Sequence, residues 1–128
     1  MRIKVTDTGA KAKQAAANYI LLAKSAERAL RVTQEMLIIR RAGFADLDET
    51  RAINAKLPEI IAAQVAIEAE LNAFLAQSAA IQPPSATDVK NAQQLAEQLD
   101  AMNARSNNAT EILGAAQQLV EIWASTRV

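Results

Sequence analysis

The amino-acid sequence predicts an all-α protein: an up-down-up antiparallel bundle of three long helices, with four helices, broken near Asn107-Asn108, as the alternative. Three observations point there. Of 128 residues, 51% are apolar but only 3% aromatic, and roughly a quarter are alanine, the strongest intrinsic helix former. Only three glycines and three prolines interrupt the chain, which leaves few turns for hairpins. Apolar residues recur at alternating spacings of three and four, the pattern of helices that pack through one seam. The length suits a single helical-bundle domain, residues 1–128, with one modest core.

The first helix is expected over about residues 8–42. Asp7 or Thr8 supplies its N-cap and Gly43 its stop. With Gly43 left-handed, Phe44 falls where an apolar residue closes a Schellman motif against Ile39. Arg40 and Arg41 suit the negative end of the helix dipole. The inward stripe is Tyr19, Leu22, Ala26, Leu30, Thr33 and Leu37.

The second helix is expected over about 46–80, with the seam Ile53, Leu57, Ile60, Gln64, Ile67, Leu71, Phe74, Ser78 and Ile81. Pro58 lies inside it. The seam keeps phase across Pro58, which predicts a kink and not two helices. Ile81-Gln82-Pro83-Pro84-Ser85 reads as the clearest linker, with Ser85 or Thr87 capping the next helix.

The third helix is expected over about 86–126. Its seam is Ala92, Leu95, Leu99, Met102, Ser106, Ala109, Leu113, Ala116, Val120 and Trp123. Unbroken phase through Ser106 and Ala109 favours one long helix. Asn108 with Glu111 three positions on reads as a fresh capping box and supports the split. Each helix would be about 50–60 Å long at 1.5 Å per residue, and short links make such helices antiparallel. Ile3 and Val5 alternate with polar residues, so the first residues read as an extended arm or a short strand.

Lysine plus arginine and aspartate plus glutamate balance at 14 each, but the cations dominate up to Arg41. Lys24, Arg28 and Arg31 recur on one face of the first helix. That spacing fits a phosphate-tracking stripe. It fits better a solvated face laced by the i,i+4 pairs Glu27–Arg31 and Arg31–Glu35, and no aromatics interleave for base stacking. The absence of His and Cys removes the commonest general base, the commonest metal ligand and thiol chemistry. Glu68 and Glu70 stand two apart and face different directions on a helix. The glycines are scattered, so no phosphate loop forms. The expectation is a non-enzyme without cofactor or metal. No run approaches 18 apolar residues, so no transmembrane segment is expected. Met1 to Ala10 lacks the apolar run of a secretory signal; cytoplasmic residence is the expectation, with signal-free export left open.

Three features invite a role. Ser25, Gln64 and Ser106 fall in roughly the same layer when counted from the links. A polar layer in an apolar seam usually fixes register; a ligand site is the alternative. Trp123 reads as core packing at the open end of the bundle, or else as a docking anchor. The first helix carries more apolar surface than one seam requires, since Ile20, Leu21, Val32, Ile38 and Ile39 lie off its inward stripe. Exposed apolar patches mark partner surfaces, although scattered surface aliphatics are common. The reading is a protein–protein interaction module of adaptor, assembly or inhibitor type, a homo-oligomer joined through helix 1. The alternatives are a lipid- or surface-associated amphipathic bundle and nucleic-acid binding through the basic N-terminal helix.

Overall fold

The computed structural model describes residues 2–43, 45–105 and 108–126. Among the described residues there are four helices, α1 (Ala10–Gly43), α2 (Leu47–Leu75), α3 (Ala86–Ala104) and α4 (Ala109–Ser125), packed against one another. The four-helix alternative therefore holds and the three-helix expectation does not. Asn108 caps α4 by accepting a 2.8 Å hydrogen bond from the Thr110 N–H. The seam hid the break because its residues on both sides face the core: Leu99, Ala109, Leu113, Ala116 and Trp123 are all buried.

α1 packs on α2 along one side and on α3 along another. α4 fills the remaining corner, against α2 and α3, and touches α1 across the diagonal. The side chains that meet set the directions. Tyr19 meets Glu70, Glu27 meets Gln64 and Arg40 meets Glu49, so α1 and α2 are antiparallel throughout. Arg28 meets Asp100 and Thr33 meets Asn103, so α1 and α3 run parallel. Since Asn103 sits beside Thr33 and α3 ends at Ala104, α1 continues past the end of α3 from Glu35 to Gly43, about 13 Å of helix.

The six inward residues expected on α1 are all buried. On α2, Ile53, Leu57, Ile60, Gln64, Ile67, Leu71 and Phe74 are buried as the seam requires. The core is aliphatic along most of its length and aromatic at one end. Tyr19 packs edge-on against Phe74 with ring centroids 5.0 Å apart, and Trp123 lies 5.9 Å from Tyr19. Trp123 is thus a core residue.

Helix ends depart from expectation in three places. α1 begins at Ala10: Gly9 accepts the first helical bond, from Lys13, while the Asp7 carboxylate accepts from the Lys4 N–H at 2.9 Å and closes a turn upstream instead of capping. Gly43 keeps a negative φ and stays helical. The closing bond there runs from the Ala45 N–H to the Arg40 carbonyl at 2.8 Å; the expected Phe44 contact lies outside the described residues. α2 ends at Leu75, five residues before the expected 80. Gln77 adopts φ 64°, the Ser78 N–H donates to the Ala73 carbonyl at 3.0 Å and the Gln77 N–H to the Phe74 carbonyl at 3.1 Å. That is a Schellman closure with glutamine where glycine is usual, and it leaves Ser78 exposed. Pro58 does not interrupt α2. The helical bond it cannot make belongs to the Asn54 carbonyl, and both residues are exposed, so that carbonyl is open to solvent.

The N-terminal arm is extended and clipped to the α2–α3 link. Ile3 and Ile81 exchange backbone bonds of 2.9 and 2.8 Å as an isolated antiparallel bridge. Both side chains are buried in the core.

Two substitutions test these features through stability. Gln77→Gly should raise stability by about 1 kcal/mol, because a non-glycine left-handed residue costs roughly that much; thermal unfolding should shift up by a few degrees. Ile3→Ala should lower stability by about 2–4 kcal/mol, the usual cost of emptying a buried aliphatic site, read as a lower urea midpoint at unchanged slope.

Candidate functional site

Burial divides α1 into two faces. Toward α2, α3 and the diagonal α4 it presents Tyr19, Leu22, Ala23, Ala26, Ala29, Leu30, Thr33 and Leu37, all buried. The opposite face is largely exposed and is bordered by α3 on the side of Ser25 and Arg28. Along it runs a second stripe at alternating spacings of four and three: Leu21, Ser25, Arg28, Val32, Glu35 and Ile39. Leu21, Arg28, Glu35 and Ile39 are exposed; Ser25 and Val32 are half-buried.

Among the described residues the exposed large apolar side chains are Leu21, Met36, Ile38, Ile39, Leu47, Val65 and Leu75. The first four are on α1. Of the five residues expected at an interface, Leu21, Ile38 and Ile39 are exposed, with Ile39 at 55%. Val32 is half-buried, and Ile20 is half-buried and packs against the core. Met36 belongs with them by position. Leu47, 64% exposed at the start of α2, lies off the α2 seam and gave no periodic signal.

The end of the α1–α2 hairpin is held firmly. Arg40 reaches Glu49 with Nε–Oε2 at 3.0 Å and Nη2–Oε1 at 3.4 Å. Arg41 donates to Asn54 at 3.0 Å. Asp46 caps α2, accepting from the Glu49 N–H at 2.8 Å. Leu37 and Ile53 stay buried there, so Ile38 and Ile39 are displayed on a fixed support.

Charges along α1 are tied unevenly. Arg31 pairs with Glu27 at 3.1 Å. Glu27 also accepts from Gln64 at 2.9 Å, and Gln64 donates to Glu68 at 3.0 Å. The expected Arg31–Glu35 pair does not form, because Arg31 is drawn the other way. Glu35 has no ion pair among the described residues, and Arg28 makes a long, exposed contact of 3.7 Å with Asp100.

Among the described residues, Ser25 and Gln64 of the expected polar layer do not pair with each other. Gln64 is buried but turned toward Glu27 and Glu68. Ser25 is half-buried on the α3 side of α1, beside Ala29, Ala96 and Asp100. Ser106 lies outside the described residues. Counting back from links assumed equal helices, and the early end of α2 and the split of the third helix shifted the layers. The polar pair inside the core is instead Thr33 and Asn103, with Nδ2 donating to Oγ1 at 3.3 Å. Asn103 Oδ1 and Gln34 Oε1 are buried without partners among the described residues, each at a cost of about 1–3 kcal/mol.

The concave surfaces are shallow. One cleft of about 170 Å³ lies between Arg2, Glu70, Ala80, Ile81 and Gln82, close to the Tyr19 phenol that donates to Glu70 at 2.9 Å. Among the described residues no three His, Cys, Asp or Glu side chains gather as a metal-ligand set. No described helix is long and apolar enough to cross a membrane. The uncovered face of α1 is the surface that stands out. No family model, no curated protein and no solved structure matches this chain.

Proposed function

We propose that the protein is a non-enzymatic helical-bundle association module that joins copies of itself through α1. One observation carries the reading: of the seven exposed large apolar side chains among the described residues, four lie on α1, off its buried face. Such side chains gain free energy when a partner removes them from water. The Arg40–Glu49 pair and the Asp46 cap hold the end of this surface rigid, which lowers the entropy lost on docking. The charge stripe Lys24, Arg28, Arg31 supports nucleic-acid binding poorly, since Arg31 is neutralised by Glu27.

Sedimentation equilibrium is expected to show a reversible, concentration-dependent oligomer. The double change Leu21→Asp with Ile39→Asp should raise its dissociation constant by about 100-fold or more, as two aliphatic contacts of about 1.5 kcal/mol each are lost. Far-UV circular dichroism should not change, because both residues are exposed. A chain that stays monomeric at high concentration, or a double variant that unfolds, overturns the proposal.

A further inference from the structure

The uncovered face of α1 is self-complementary in one direction only, and we infer that two copies pair antiparallel through it, α1 against α1, with the two-fold axis at the level of Leu30. This rests on the self-association reading and specifies its geometry.

The stripe Leu21, Ser25, Arg28, Val32, Glu35, Ile39 repeats every seven residues, the spacing that lets two helices stay in register. Its ends are apolar and its middle carries one cation and one anion. A parallel in-register pair sets Arg28 on Arg28 and Glu35 on Glu35, and like charges facing one another are repulsive. Reversing one copy about the Leu30 level changes every layer. Leu21 faces the second copy's Ile39, Arg28 faces its Val32, and Ser25 faces its Glu35. Ser25 is small and leaves the Glu35 carboxylate room to turn toward Arg28, about 4.5 Å along the axis.

The charges are available for this. Glu35 is exposed and has no ion pair among the described residues of its own chain. Lys24 is exposed at nearly the same level as the second copy's Glu35. The 3.7 Å contact of Arg28 with Asp100 is between side chains that are 65% and 42% exposed, a kind of pair that holds weakly. Arg31 is brought toward its own copy across the axis, and its charge is offset by Glu27, which holds it at 3.1 Å. Sliding the register so that Arg28 faces Glu35 directly would set Ile39 against Lys24 and Leu21 against Ala42, so the apolar ends select the first register. The second copy is therefore the occupant whose charge and apolar pattern this face matches.

The chain has no cysteine, so engineered thiols report the geometry cleanly. Leu21→Cys and Ile39→Cys variants are prepared separately and oxidised alone and mixed. A disulfide-linked dimer is expected in the mixture and little in either sample alone. Cross-linking of each variant with itself, or none in a mixture that still sediments as a dimer, overturns the antiparallel register and leaves self-association standing. A monomeric chain overturns both. As a second measurement, Glu35→Arg should raise the dissociation constant about tenfold, and adding Arg28→Glu should return it to within about threefold of the parent. Equal weakening by the single and the double change also overturns the pairing.

Discussion

Tyr19 sets the rotation of α1, and the rotation of α1 decides what the rest of the molecule can bury and what it must show. Its ring contacts both Phe74 of α2 and Trp123 of α4, and its hydroxyl donates to Glu70. Three helices converge on one side chain that has no exposed surface. A helix turns 100° per residue, so with Tyr19 fixed inward, Leu21 two positions later points outward. The same phase carries Leu22, Ala26, Leu30, Thr33 and Leu37 into the core. It leaves Leu21, Arg28, Glu35 and Ile39 in water. The inner and outer faces of α1 are one decision, made at the aromatic end of the bundle.

Much of this was legible in the residues because period alone carries it. All six inward positions expected on α1 and seven on α2 are buried, since a seam that repeats every three and four positions has only one face to turn to the core. Helix ends were less legible. Gln77 takes a left-handed turn that sequence assigns to glycine, and α2 stops there without a glycine or proline at the stop. Asn108 signalled its cap, but the seam ran in phase across the break and favoured continuity. The candidate surface was legible as surplus: Leu21, Ile38 and Ile39 had no place on the inward stripe. Ile20 was also surplus and yet packs against the core, because in a four-helix arrangement the buried arc of α1 is wider than one stripe.

The polar interior shows a different limit. Gln64 reads as a seam residue and is buried, but its partners are Glu27 and Glu68 on the flanks, not a serine across the core. Which polar atoms meet depends on lengths of whole helices, and an error of a few residues at one end moves a layer by most of a turn. Thr33 and Asn103 meet because α3 ends beside Thr33. The unpartnered oxygens of Asn103 and Gln34 sit near the level where α1 outruns α3. The bundle gives up hydrogen bonding there, where α3 ends and, among the described residues, the α1–α2 hairpin continues.

The composition of the outer stripe then has a physical logic. An aliphatic residue at every position of a six-position stripe would leave an isolated copy with a long apolar band, prone to unselective contacts. Arg28 and Glu35 keep the middle of the band hydrated, so the apolar weight is concentrated at Leu21 and Ile39, roughly 27 Å apart along the helix. Separation of the two ends is what makes direction matter. The proposed second copy supplies an aliphatic group at both ends and charges of the right order between them. Polar residues within a seam weaken association and narrow the acceptable registers at the same time. In the proposed pairing the interruption by Arg28 and Glu35 is the source of specificity, and the aliphatic ends supply the affinity.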